Sequence, residues 1–136
     1  DVVKRHARID PDIGKLRRIY RPANATLMNR GHDIMLKWPK GAGSIEIEGK
    51  RFTLNQYHWH SPAEHTVDGK RYPLESHMVH QAEDGKIAVI GIIYKFGRPD
   101  TFLAELMDEI KSISDKEPPE ELLGIVDPRH IKLGSR

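Results

Sequence analysis

The sequence predicts a mainly β fold with one amphipathic helix, as a single domain over residues 1–136. Three observations predict it. Short runs of apolar or alternating residues recur between residues 33 and 96. They are bounded by glycine, proline and Asp-Gly pairs, the punctuation of strands and turns. One segment alone, at about 100–113, has helical spacing of its apolar residues;.

Residues 1–31 read as irregular and basic, carrying Lys4, Arg5, Arg8, Lys15, Arg17, Arg18, Arg21 and Arg30, with at most short extended pieces. Residues 33–38 (DIMLKW) alternate weakly and predict a strand. The run PKGAG predicts a turn. Residues 44–48 and 51–60 predict a hairpin about Gly49;. Strict alternation over 51–60 puts Phe52, Leu54, Gln56, His58 and His60 on one face, and Thr53, Asn55, Tyr57 and Trp59 on the other. SPAEHTVDGKRYP predicts a long connection, with turn chemistry at Pro62, Asp68-Gly69 and Pro73;.

Residues 74–81 predict a further strand. Residues 86–96 (KIAVIGIIYKF) are nearly all apolar, as expected of a central strand buried on both faces;. Asp84-Gly85 marks the turn between the two. Asp100 is placed to cap a helix whose face carries Phe102, Leu103, Leu106, Met107, Ile110 and Ile113;. SDKEPPEE predicts a charged loop, and residues 122–136 a short extended tail.

Composition excludes several classes of function. The net charge of +2 gives no basic tail for nucleic acid and no polybasic membrane patch;. The longest apolar run, 87–94, is far short of the roughly 20 residues that span a bilayer;. The first ten residues hold no apolar stretch of a signal peptide, so none is expected to remain in the chain. With no cysteine there is neither a disulfide framework nor a zinc–thiolate site;.

Eight histidines stand out. His58 and His60, two apart on a predicted strand, project the same way. Such a pair is also met as ordinary half-buried polar residues. His77, on the predicted neighbouring strand, adds a third imidazole if the strands pair. Three neutral imidazoles without a thiolate leave a coordination position open, the pattern of a catalytic zinc site. Gln56 and Glu75 each precede a histidine by two positions on the same face. They are candidates to accept the far ring N–H and so fix tautomer and ring angle. His80 falls on the opposite face from His77 and reads as packing or surface. His6 and His130 read as solvated.

The run LNQYHWHSPAEHTVDGKRYPLESHMVH, residues 54–80, resembles the zinc-site signature of the α-class carbonic anhydrases, the plant-type members above all. NRGHDIMLKW, GKLRRIYRPA and DGKIAVIGIIYKFGRPDTFL are similar to the same family. The resemblance implies that this chain is a fragment of the family's twisted, mostly antiparallel sheet, without the N-terminal and C-terminal parts of the domain. It implies a Zn2+ cofactor on His58, His60 and His77, with Gln56 and Glu75 behind them. It assigns Glu64 to orienting a threonine hydroxyl, His65 to a structural role beside it, and His32 to proton shuttling. Val79 and Val89 become apolar walls of the carbon dioxide pocket. The implied activity is reversible hydration of carbon dioxide to bicarbonate and a proton, with the fragment itself impaired and binding zinc weakly.

Two other readings stay open. A non-catalytic relative of the same family would serve in storage or binding. A cupin-type metal protein would use His58, His60 and Glu64 as direct ligands, and would not need His77. Asn24-Ala25-Thr26 is an N-glycosylation sequon;. It points to a secretory route and an extracellular or plastid location. Oligomeric state is not legible.

Overall fold

In a computed structural model, which describes residues 1–134, the alternating segments form one curled antiparallel sheet. Its strands are β1 (Arg17–Tyr20), β2 (Ala23–Asn29), β3 (Ile34–Lys37), β4 (Gly43–Ile47), β5 (Lys50–His60), β8 (Leu74–Gln81), β9 (Ile87–Tyr94) and β10 (Glu120–Val126). A two-stranded hairpin, β6 (Thr66–Val67) and β7 (Lys70–Arg71), lies within the predicted long connection. Two short helices follow β9: α1 (Thr101–Glu105) and α2 (Met107–Ile113).

The eleven-residue strand β5 organises the sheet. One of its edges takes β4 and then β3, and β8 pairs along the other. The β4–β5 turn has positive φ at both Glu48 and Gly49, the type I′ geometry that suits a two-residue hairpin;.

Strict alternation fails in β5. Leu54 pairs with His80 but Gln56 pairs with Val79, so Asn55 is an extra residue in the ladder. This bulge reverses the side-chain parity. Phe52 and Leu54 therefore share the core with Tyr57 and Trp59, while Gln56, His58 and His60 face the other way. The expectation that Phe52, Leu54 and the histidines lie on one face is corrected accordingly.

Three further expectations are revised. Residues 1–31 are more ordered than predicted. β2 is an inner strand between β3 and β10, burying Ala25 and Leu27. With alanine, asparagine and threonine around those two side chains, its apolar signal is faint. β9 is not central: among the described strands it pairs with β8 alone, and Val89 is 51% exposed. An apolar run shows that both faces tolerate burial, but it does not name the strand's neighbours. The single helix is two helices, broken at Leu106 (φ −94°, ψ −1°). Asp100 caps the first as predicted, accepting from the Leu103 N–H at 2.8 Å. Phe102, Leu106 and Ile113 are buried, whereas Met107 turns outward.

The extended tail is β10, paired antiparallel with β2, and its final predicted residues, 135 and 136, lie outside the described part. The main core is continuous through Leu27, Leu36, Trp38, Ile45, Leu54, Tyr57 and Met78. His58, His60 and His77 lie outside it, carried on β5 and β8.

Candidate metal centre

β5 and β8 pair with His58 opposite His77. His60 is two residues along the same face of β5. The three imidazole centroids stand 4.8, 5.1 and 4.9 Å apart, close to an equilateral triangle. One nitrogen from each ring lies within 4.8 Å of the others. His58 and His77 are buried and His60 is half-buried. The expected trio is thus brought together.

Second partners fix which nitrogens face inward. His58 Nδ1 is 2.6 Å from Gln56 Oε1, and His77 Nε2 is 2.8 Å from Glu75 Oε1. These oxygens accept, so each ring donates there and keeps its other nitrogen unprotonated. Those other nitrogens, His58 Nε2 and His77 Nδ1, are 3.3 Å apart. Two lone pairs held so close repel unless a cation lies between them. The donor set therefore fits a zinc ion: imidazole nitrogen, with the far ring positions tied to an amide and a carboxylate.

Burial pushes the His58 imidazolium down to about 4, against the pull of the Asp33 carboxylate and with help from His60 and His77. The ring is consequently neutral, as a ligand must be. Glu75, almost fully buried, is driven down to about 2 in spite of that burial, because it accepts from the His65 backbone N–H, His77 and the His65 ring. Its Oε2 meets His65 N at 2.7 Å and its Oε1 meets His65 Nδ1 at 2.8 Å. His65 thus holds the carboxylate that orients His77.

The remaining predicted residues fall as follows. Val79, two past His77, pairs directly with Val89. Both sit on the histidine face of the sheet beside the trio. Glu64, on the connection after β5, brings Oε2 to 3.9 Å from His60 Nε2 and 3.7 Å from His77 Nδ1. His32 is not in the cluster. Its side chain is 71% exposed, and Nε2 is 3.5 Å from Asp33 Oδ2. Asn24 is exposed on β2. His80 is wholly buried on the core side.

Sequence reading missed Asp33, a buried carboxylate at the start of β3. It pairs with Arg30, and its charge acts on both His32 and His58, so its own acidity is strengthened. The signal available was its position between His32 and a strand paired with β5, but that pairing is visible only in the fold.

Known proteins resemble this chain in sequence and in fold. The chain is 48% identical over 136 residues to alpha carbonic anhydrase 7 of Arabidopsis thaliana, covering all of this chain and 50% of the relative. A crystal structure of dioscorin complexed with ascorbate superposes with a TM-score of 0.91 at 40% identity, over 96% of this chain and 55% of that one. The α-carbonic anhydrase of Thermovibrio ammonificans, in complex with the inhibitor sulfanilamide, gives 0.76 at 31% identity, over 95% and 55%. The chain spans about half the length of the curated relatives it matches. His77 in the cluster and the likeness to these proteins set the cupin reading aside. Residues 1–131 match the model of the eukaryotic-type carbonic anhydrases, and the chain belongs to that family.

Proposed function

We propose that the protein containing this chain catalyses the zinc-dependent, reversible hydration of carbon dioxide to bicarbonate and a proton. The carrying observation is the 3.3 Å approach of His58 Nε2 and His77 Nδ1, each with its other nitrogen hydrogen-bonded away. In this reading His58, His60 and His77 hold Zn2+. Zinc supplies the Lewis acidity that makes water a nucleophile near neutral pH. Gln56 and Glu75 keep the His58 and His77 rings aimed, so the site needs little rearrangement on loading. Val79 and Val89 give carbon dioxide an apolar wall. His32 takes the product proton to solvent, since it is exposed and an imidazole can both accept and release a proton;. Glu64 accepts from a hydroxyl in this reading, and among the described residues its side-chain ion pairs are with His60 and His77.

Oxygen-18 exchange between bicarbonate and water tests the activity, in this chain and in any longer natural form that contains it. Zinc-dependent exchange that vanishes in His60→Ala supports the reading. A zinc-loaded longer form without exchange overturns it and favours the second reading, a storage or binding protein of the same family, which the close superposition on dioscorin supports.

The exposed Asn24 is further proposed to carry an N-glycan, placing the protein on the secretory route with an extracellular or plastid destination. Partners are small molecules in this reading. No helix among the described residues is long and apolar enough to cross a membrane.

A further inference from the structure

We propose that Asp33 is a positioning residue for proton release: it holds the His32 ring by Nε2, so that Nδ1 is the atom that takes up the product proton and passes it to buffer. This rests on the hydration reading and on His32 as its proton carrier. His32 stands at the tip of the β2–β3 hairpin. Asn29 pairs with Ile34, and beyond them the Arg30 N–H donates to the Asp33 carbonyl at 2.9 Å. Gly31 and His32 alone are left to make the loop. Gly31 has φ +89°, a conformation that favours glycine, and its N–H donates to Asn29 Oδ1 at 2.9 Å;. The root of the His32 side chain is thereby fixed.

A different contact holds the ring. An imidazole as exposed as this one would, without a partner, sample several staggered wells. Here Nε2 lies 3.5 Å from Asp33 Oδ2. That carboxylate is itself held in place. Its side chain is 1% exposed, and Arg30 grips both oxygens, with Nε donating to Oδ1 at 2.6 Å and a terminal nitrogen donating to Oδ2;. Burial alone would raise the Asp33 carboxyl, but the Arg30 hydrogen bond and charge, with His32 and His58, bring it below its ordinary range. An anion therefore stands beside Nε2 at neutral pH. A neutral imidazole has one N–H and one lone pair. With the N–H on Nε2, towards the carboxylate, the lone pair is on Nδ1. A proton arriving at Nδ1 makes an imidazolium that is already paired with Asp33. The same proton leaves from Nδ1 to buffer, and the one on Nε2 stays.

The test has two readouts. In the metal-free chain, the Hα–Hβ NMR couplings of His32 report its χ1 populations. One dominant rotamer is expected in wild type and averaging in Asp33→Ala. In the zinc-loaded protein, oxygen-18 exchange reports hydration and proton release as separate rates. Asp33→Asn is expected to slow proton release by at least about tenfold while hydration holds within about twofold. Imidazole buffer is expected to restore the lost rate. The double variant His32→Ala, Asp33→Asn is expected to be no slower than His32→Ala alone. Averaged couplings in wild type overturn the inference without any variant, and so does unchanged proton release in a folded Asp33→Asn. An equal fall in both rates overturns it too, since Asp33 would then act through the charge felt at His58. Zinc-loaded wild type without exchange in either step overturns the hydration reading instead, and the role in proton release with it. Near-UV circular dichroism checks that the Asp33 substitutions leave the fold intact.

Discussion

Glu75 and His77, two positions apart on β8, meet at 2.8 Å between Oε1 and Nε2, on the side of the ring away from His58. A buried carboxylate thereby decides which nitrogen of His77 faces the other two histidines. Glu75→Gln keeps the shape but removes the charge and weakens the acceptor for both His77 and His65. Zinc affinity by chelator competition is expected to fall by about 10–100-fold. Unchanged affinity would show that His77 is oriented by packing alone.

Acid lability follows from the same groups. His58 is held down to about 4, below its ordinary 6.5, and burial lowers His80 as well. Between those values the unfolded chain binds protons that the folded chain refuses, so metal-free stability falls as pH drops from about 6.5 towards 4. Glu75, lowered to about 2 from 4.5, adds a second loss across that lower window, since its stabilising charge must be neutralised;. Urea midpoints measured from pH 7 to pH 3 are expected to decline through both windows. His58→Gln is expected to flatten the upper one.

Much of this site was legible because its chemistry repeats with the period of a strand. His58-x-His60, Gln56 before His58 and Glu75 before His77 need only alternation to be placed together. The bulge at Asn55 was not legible: nothing in TLNQY says that the ladder admits one extra residue. The core residues of β5 were consequently assigned to the histidine face. Glu64's approach to the cluster and Asp33's influence on His58 depend on how a connection and a third strand settle against β5, which no local pattern encodes. The edge position of β9 is of the same kind.

The bulge makes an unusual prediction. Removing Asn55 leaves Phe52, Leu54, Tyr57 and Trp59 in strict alternation with Gln56, His58 and His60 on the other face. A deletion that would scramble an ordinary strand is therefore expected to preserve both core and metal site. The Trp38 N–H donates to the Asn55 carbonyl at 2.9 Å, and its loss is expected to cost about 1–3 kcal/mol;. Co(II) spectroscopy should show the metal environment retained, with urea unfolding at a lower midpoint. Loss of metal binding in a folded deletion variant would contradict the assigned parity.

The opposite side of β8 offers a separation of stability from metal chemistry. His80 Nδ1 is 3.1 Å from the Ala88 carbonyl, which can only accept, so this ring donates there;. Its Nε2 must then accept, and the Tyr20 hydroxyl donates to it at 2.8 Å, with the two rings stacked at 5.9 Å. Tyr20→Phe keeps the stack and strands a fully buried acceptor. The expected cost is about 1–3 kcal/mol in urea unfolding. Because His80 projects into the core while His77 projects towards His58, zinc affinity should be unaltered in the folded variant. A parallel fall in zinc affinity would mean that β8 transmits the strain across the sheet, and that the two faces are not independent.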